Sequence, residues 1–215
     1  MASPRIALLL PAAAAAVLFA GCIGIDAGPT TSDHRDVDAF TRIKAEDEVD
    51  VELRAGEPRR VDVRAGEKVI ADVRTEVRDG TLYVSYDGPD IRKGRLLVEV
   101  AAPRVEAIGI TGSADVFADG LDADALDIRV TGAGDITAHG RAERLTVDIS
   151  GSGDADLADL AASEARIELS GAGDADVRAT DRLDAEVRGA GDLAYRGDPE
   201  LTQDVSGSGE IEHAG

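Results

Sequence analysis

Six acidic residues recur at nearly constant spacing in the C-terminal half of the chain, and each closes a short glycine-rich turn. They are Asp115, Asp135, Asp154, Asp174, Asp192 and Glu210. Carboxylates at one repeated position can bind divalent cations such as Ca²⁺, or they can dock a basic surface. The alternative is structural, since aspartate commonly accepts hydrogen bonds from the backbone of its own turn. The sequence favours the structural interpretation and leaves the other open.

A second acidic set lies three residues before successive turns and follows Arg129 at the same position. Its members are Asp148, Glu168, Glu186 and Asp204. If the repeats stack, neighbours in each set lie about 4.8 Å apart. Like charges at that distance repel by roughly 0.9 kcal/mol per pair even in bulk water. A divalent cation or a basic partner would relieve this repulsion. The sequence nevertheless predicts no cofactor and no metal site, and it leaves Ca²⁺ binding by these sets open as the alternative.

Other kinds of chemistry find little support. His34, His139 and His213 are too far apart in sequence to show metal-ligand spacing, and the Gly-X-Ser-X-Gly nucleophile motif is absent. A net charge of −20 argues against nucleic acid as a partner. Aromatic residues make up 3 % of the chain, which leaves few platforms for sugar rings. The sequence therefore predicts a protein that is not an enzyme.

The only cysteine, Cys22, follows a 15-residue apolar run over residues 6–20. The residues Leu18-Phe-Ala-Gly-Cys22 resemble the lipobox of bacterial lipoproteins, in which the cysteine is lipidated. This resemblance implies a signal peptide over residues 1–21 and a membrane attachment through Cys22. It also implies an exported protein, anchored by lipid to the cell envelope at the outer membrane or the cell surface. We expect residues 22–38, rich in turn formers, to be the lipid anchor and a flexible tether.

The acidic turns belong to a longer repeat whose first glycines are 20, 19, 20, 18 and 18 residues apart. A fixed period near 20 residues is typical of proteins built from stacked coils. The turn glycines are Gly112, Gly132, Gly134, Gly151, Gly153, Gly171, Gly173, Gly189, Gly191, Gly207 and Gly209.

Apolar residues alternate with polar ones on both sides of each turn, which is the period of a β-strand. The pattern predicts an all-β, single-domain parallel β-helix (β-solenoid) with about 18–20 residues per coil. Parallel crossovers favour the right-handed form. We expect an N-terminal cap with irregular β coils over residues 39–104, and regular repeats of the same domain over 105–215. Ile128, Val147, Ile167 and Val187 should form one buried file, and residues 156–166 could form a helical turn.

The repeated Ser-Gly-Ser-Gly-Asp turns resemble those of the bacterial head GIN domain family, the putative auto-transporter adhesin head domains. Upstream, Phe40-Thr-Arg-Ile43, Val49-Asp-Val-Glu-Leu53 and Val77-Arg-Asp-Gly-Thr-Leu82 are similar to the N-terminal pattern of that family. The resemblance covers residues 40–209. It implies a β-helical domain on the cell envelope, often lipid-anchored, with an adhesive or structural role and no catalytic residues to transfer.

These observations predict a non-catalytic envelope lipoprotein whose adhesin-like solenoid serves surface adhesion or protein–protein contact. One alternative is a regulatory or envelope-stress lipoprotein that binds a membrane partner. Another is a polysaccharide-active β-helix enzyme, because long parallel β-helices include such enzymes. The sequence does not identify the protein or surface ligand. The last coil would leave a bare strand edge, so end-to-end self-association is a further possibility.

Overall fold

The computed structural model of the protein describes residues 25–214, apart from the side chains of residues 92 and 93. Within that range the chain is almost entirely β-structure, with a single 3₁₀ turn at Ile70–Asp72. The strands are β1 Ile25–Asp26, β2 Thr30–His34, β3 Arg42–Asp47, β4 Asp50–Ala55, β5 Arg60–Gly66, β6 Val73–Arg78, β7 Thr81–Tyr86, β8 Ile91–Lys93, β9 Leu97–Ala102, β10 Ala107–Gly112, β11 Val116–Gly132, β12 Ile136–Gly151, β13 Ala155–Gly171, β14 Ala175–Gly189, β15 Leu193–Arg196, β16 Glu200–Gly207 and β17 Ile211–His213.

The strands stack along one axis, and most pair with their counterparts in the coil above and the coil below. One ladder runs in the order β6, β7, β3, β10, β11, β12, β13 and β14. The first half of β14 then pairs with β15, and its second half pairs with β16. Every pair from β7–β3 upward in this ladder is parallel. The predicted parallel β-solenoid is confirmed.

Aliphatic side chains form continuous columns inside the stack. Ile128 lies opposite Val147, and Val147 lies opposite Ile167. The next member of this column is Ala185, whereas Val187 continues the neighbouring column two residues further along the strand. The prediction that placed Val187 in the first column was therefore wrong by two residues along the strand, although Ala185 and Val187 are both buried, at 1 % exposure. Full burial of each large aliphatic side chain contributes about 1.5–3 kcal/mol.

Each regular coil has three sides. In β11, inward-facing residues alternate with outward-facing ones, but two exposed residues follow each other at Asp119–Gly120 and again at Asp124–Ala125. These double steps are the corners, because a strand that continued straight would send alternate residues outward only. Between the corners, Leu121 and Ala123 are 2 % and 7 % exposed. The segment that the sequence pattern predicts as a polar return is therefore a third buried side of the coil.

The helical turn suggested for residues 156–166 is absent, because these residues lie within the continuous strand β13. Leu157 and Leu160 point inward from two different sides of the coil, and both are fully buried. The corner between them imitates the spacing of a helical turn in the sequence.

Antiparallel strands close the N-terminal end of the stack. β6 pairs antiparallel with β7, and β5 pairs antiparallel with β9. Irregular coils built from β3, β4 and β7 to β9 connect this cap to the regular repeats. The aliphatic columns continue into these irregular coils, where Ile43 of β3 and Leu82 of β7 extend the column of Ile128.

The segment predicted as a flexible tether pairs with the cap. β1 runs parallel to β8, and β2 runs antiparallel to β5. All five side chains of β2 are exposed, so backbone hydrogen bonds attach this strand without any apolar pattern. The prediction of a tether over residues 22–38 is thus wrong for residues 25–34, because strand pairing needs no hydrophobic signal in the sequence.

Candidate functional site

Glycine-rich turns place the first acidic column at one corner of the solenoid. Gly151 has a φ of 139°, in the region that glycine adopts readily and other residues resist. A Cβ atom on Gly151 would overlap the carbonyl oxygen of Gly132, and one on Gly153 would overlap that of Gly134. These glycines therefore serve two needs at once, the sharp turn and the close approach of successive coils.

The six acidic turn residues stand in a single column, as the stacking predicts. Each of the first five carboxylates accepts a hydrogen bond from the backbone N–H of the acidic residue in the next coil. The Oδ1–N distances are 3.1 Å for Asp115–Asp135, 2.8 Å for Asp135–Asp154, 2.8 Å for Asp154–Asp174, 2.7 Å for Asp174–Asp192 and 2.9 Å for Asp192–Glu210. We call this set of residues the turn column.

The turn column shows which backbone groups the carboxylates contact. The structural interpretation was right in kind, because the carboxylates accept backbone hydrogen bonds, but wrong about the donor, which lies in the next coil. One more member precedes the six, since Asp50 Oδ1 accepts from the N–H of Asp115 at 3.1 Å. Sequence reasoning missed Asp50 because no glycine pair precedes it. In that irregular coil Asp47, with a φ of 63°, lies opposite Gly112.

The second acidic set also forms a column, on the outer face of the longest side. Register pairs Arg129 with Asp148, then Glu168, Glu186 and Asp204. Arginines neutralise three of these four acids: Arg129 Nε lies 3.1 Å from Asp148, Arg166 lies 2.6 Å from Glu168, and Arg188 pairs with Glu186. The hydrogen bond that Arg129 donates to Asp148 raises the pKa of Arg129, and the one that Arg166 donates to Glu168 raises the pKa of Arg166.

Neither column has the geometry of a metal site. Across residues 25–214, no three histidine, cysteine, aspartate or glutamate side chains come together so that they could hold a metal ion. Binding of Ca²⁺ to these columns stays a prediction that awaits measurement.

The histidines occupy three separate environments. His34 Nδ1 lies 3.1 Å from Asp62, His139 packs edge-on against Phe117 with 5.1 Å between ring centroids, and His213 Nε2 lies 2.9 Å from the carbonyl of Gly197. They do not form a cluster.

Asp62 makes a largely buried polar contact that sequence reasoning missed. Its side chain is only 12 % exposed, and it lies between Arg60 on its own strand and His34 on β2. The hydrogen bond from Arg60, together with that from His34, holds the pKa of Asp62 below its usual value. The only sequence signal is an acidic residue within an alternating strand, which is usually a solvated position.

Charge is distributed unevenly along the axis. Residues 25–104 contain 18 acidic and 14 basic residues, whereas residues 105–215 contain 25 acidic and eight basic residues. All three lysines of the chain, Lys44, Lys68 and Lys93, belong to the N-terminal part. The acidity of the protein is therefore concentrated in the regular coils, whose net charge is −17, whereas that of residues 25–104 is −4.

Cys22 and the predicted signal peptide lie outside the described residues, so lipidation stays a prediction. In the described part of the chain no helix combines the length and the apolar character that crossing a bilayer would require.

The model of a known family matches this chain. Residues 39–199 match the family described as "putative auto-transporter adhesin, head GIN domain". No curated protein matches the chain in sequence.

Solved structures share the fold at low sequence identity. A putative adhesin from Bacteroides fragilis has a TM-score of 0.71 at 22 % identity, with 87 % of this chain and 99 % of that chain covered. A putative adhesin from Parabacteroides distasonis has a TM-score of 0.60 at 22 % identity, with 86 % and 96 % covered. A putative lipid binding protein from the same species has a TM-score of 0.56 at 20 % identity, with the same coverage. At these identities the likeness concerns the fold.

Proposed function

The chain belongs to the family of putative auto-transporter adhesins with a head GIN domain, and from this membership we propose that it is a non-catalytic, adhesin-like surface module. The module is exported and attached to the cell envelope by a lipid on Cys22. It acts by presenting a rigid, repetitive outer surface to a protein or another surface ligand.

The observation that carries this proposal is the register of the outer face. Side chains two residues apart along a strand and about 4.8 Å apart between strands form a fixed lattice on each side of the coil. Residues 127–131 of β11 lie opposite 146–150 of β12 and 166–170 of β13 without a shift. Such a lattice can make many weak contacts at once, and their combined strength exceeds that of any single contact.

The absence of a clustered reactive site within residues 25–214 supports a binding role over catalysis. The best-defined candidates for acid–base chemistry are the acidic columns, and most of their carboxylates are engaged with backbone N–H groups or with arginines. The grooves between side-chain rows are open to solvent, whereas a catalytic site generally excludes water.

Cells that express the chain test the proposal directly. A deletion strain, the same strain complemented with the wild-type chain, and one complemented with Cys22→Ser are compared for adhesion to host cells, to other bacteria and to coated surfaces. We expect adhesion to require the wild-type chain, and Cys22→Ser to release the protein from the envelope and reduce adhesion. Equal adhesion of all three strains would contradict the adhesive role.

The purified chain tests the remaining parts of the proposal. Beads coated with it should bind the same surfaces, and heat-denatured chain is the matched control. A panel of neutral and acidic polysaccharides incubated with the chain should show no new reducing ends. Turnover of any of them would contradict the non-catalytic assignment.

A further inference from the structure

The folded body begins only three residues after Cys22. The N–H of Ile25 donates to the carbonyl of Asp90 at 2.8 Å, and the N–H of Lys68 donates to the carbonyl of Ala27 at 3.2 Å. Ala27 is 1 % exposed and belongs to the core. From β1 onward the chain is therefore part of the cap.

The same segment stays attached as it continues along the cap. The N–H of Glu67 donates to the carbonyl of Pro29 at 3.0 Å, and β2 then pairs with β5 over five residues. Beyond β2, the N–H of Arg35 donates to the carbonyl of Val61 at 2.9 Å. The segment is thus attached to the fold at successive points from Ile25 to Arg35.

The position of β1 places this attachment at the N-terminal end of the axis. β1 pairs with β8, and β8 belongs to the same coil as β7 and β9, whose outer neighbours are the cap strands β6 and β5. The regular coils β11 to β17 extend from the opposite side of this level. An anchor attached near Ile25 is thus joined to one end of the solenoid.

The reach of the connection follows from chain geometry. Three peptide steps from Cys22 to Ile25 span at most about 10 Å when fully extended. A free segment over residues 22–38 would instead reach about 55 Å. The pairing of β1 and β2 removes most of that reach.

Charge favours the same orientation on an anionic lipid surface. The N-terminal part, residues 25–104, has a net charge of only −4 and contains all the lysines, whereas residues 105–215 have a net charge of −17. A negatively charged leaflet attracts basic groups and repels acidic ones within about a Debye length of its surface. An orientation that brings the acidic coils against the lipid would be unfavourable, because their carboxylates would be repelled by the anionic headgroups.

Resting on the lipid anchor proposed above, we propose that the cap lies directly against the lipid surface and that the regular coils project from it. The partner of the cap is the headgroup layer of an anionic bilayer. Among the coils of residues 25–214, the one formed by β15 to β17 lies farthest from the membrane and is presented to other surfaces.

Three aromatic residues at different heights make this geometry measurable. The chain has no tryptophan, so Tyr83→Trp, Phe117→Trp and Tyr195→Trp each introduce a single fluorescent donor. Phe117 lies two strand steps above the coil of Tyr83, and Tyr195 lies four steps higher. At about 4.8 Å per step these heights are about 10 Å and 29 Å above Tyr83.

The full chain purified from expressing bacteria is reconstituted into phosphatidylglycerol-containing vesicles whose headgroups carry a dansyl acceptor. We expect energy transfer to be strongest for Tyr83→Trp, intermediate for Phe117→Trp and weakest for Tyr195→Trp. An insertion of twelve Gly and Ser residues between Gly24 and Ile25 is the matched control, and it should reduce the differences among the three donors. Equal transfer in all three variants, or the reverse order, would overturn the proposal.

Failure of lipidation is distinguished by a separate arm. Metabolic labelling with an alkyne fatty acid, with Cys22→Ser as the negative control, reports whether cells acylate the chain. In parallel, Cys22 of the full chain is coupled to a maleimide lipid, so that the same gradient of energy transfer is measured regardless of acylation. If cells do not acylate the chain but the maleimide-coupled chain shows the expected gradient of energy transfer, only the biological anchor is contradicted. If cells acylate the chain but no gradient of energy transfer is seen, the orientation is contradicted.

Discussion

At the scale of single residues, the turn column shows how an acidic repeat can stabilise a fold that carries excess negative charge. Each carboxylate accepts an N–H from the next coil, as Asp154 does from Asp174 at 2.8 Å. Hydrogen bonds to charged acceptors contribute about 1.5–3 kcal/mol, which exceeds the roughly 0.9 kcal/mol of repulsion between neighbours in water. The repeated acid is therefore compatible with stacking and helps to fix its register.

Replacing one member of the turn column should weaken the stack locally. We expect Asp154→Ala to lower the free energy of unfolding by about 1–2 kcal/mol, because it leaves the N–H of Asp174 without this acceptor. Asp154→Asn keeps an acceptor oxygen and should lose less. The exposed Asp159 offers a matched control, for which Asp159→Ala should change stability by about 0.5 kcal/mol or less. Urea unfolding followed by circular dichroism measures all three, and equal losses for Asp154→Ala and Asp159→Ala would contradict the role.

Two glycines should respond in opposite ways to the same added methyl group. In Gly153→Ala the Cβ would overlap the carbonyl of Gly134, so we expect a loss of about 2–3 kcal/mol or failure to accumulate. Gly109 lies in mid-strand, where its Cβ would meet nothing closer than the Lys44 side chain at 3.4 Å. Gly109→Ala should therefore be neutral or stabilising by about 0.4–1 kcal/mol. Thermal unfolding distinguishes the two, and similar midpoints would contradict the close approach of the coils.

At the scale of elements, the cap depends on contacts that differ in kind from those of the regular coils. The coils are joined by in-register parallel strands over aliphatic columns. β2 is instead attached by its backbone and by the contacts of His34 with Asp62 and of Arg35 with the carbonyl of Ile70 at 2.9 Å. An element with so little buried side-chain surface should open before the rest of the fold.

The attachment of β2 should depend on pH through Asp62. The folded-state pKa of Asp62 is lowered chiefly by Arg60, which lies on the same strand and stays in place when β2 opens, and also by His34 on β2. The part that holds β2 is the contact with His34, whose contribution to stability is present above the unfolded value of about 3.9 and is lost as pH falls through the folded pKa. We expect amide protection factors in β2 to drop below about pH 4 while those in β12 and β13 persist. In Asp62→Asn, protection of β2 should be lower at neutral pH and should lose this dependence. Unchanged protection in that variant would contradict the assignment.

The sequence predicts the regular coils well because each of their contacts repeats. Period, turn position and inward alternation all recur, so Ile128 and Val147 could be aligned from spacing alone. The third side was missed because Leu121 and Ala123 are separated from the next inward residue by a corner of two exposed positions, which breaks the period of two. β2 was missed because backbone pairing leaves no trace in side-chain type. Asp62 was missed because its partners Arg60 and His34 belong to the irregular cap.

At the scale of the whole molecule, the charge gradient and the stacked architecture oppose each other. The regular coils hold 25 of the 43 acidic residues but only eight of the 23 basic ones. Arginines such as Arg129 and Arg166 bridge neighbouring rows and relieve part of the repulsion. Exposed ion pairs of this kind contribute little individually, so the excess negative charge should still destabilise the compact state.

Salt should therefore stabilise the protein. Raising NaCl from 0.01 M to 0.15 M shortens the Debye length from about 30 Å to about 8 Å and screens repulsion between coils more than it screens hydrogen-bonded pairs. We expect the thermal midpoint to rise over this range, and a neutral osmolyte at equal osmolality to produce a smaller shift. A midpoint that falls with salt would show that attractive ion pairs dominate.

Because each coil pairs with its neighbours strand by strand, the coils repeat along the axis at a constant spacing of about 4.8 Å. The Gly151 and Gly171 turns present the same backbone shape upward and downward, and residues 145–151, 165–171 and 183–189 pair in one register, whereas the register shifts at the corners. Excising residues 152–171 would set β14 on β12 with the columns of the longest side still aligned, and duplicating them would insert one more coil. The length of such a protein can thus change during evolution in increments of about 4.8 Å without redesign of its interior.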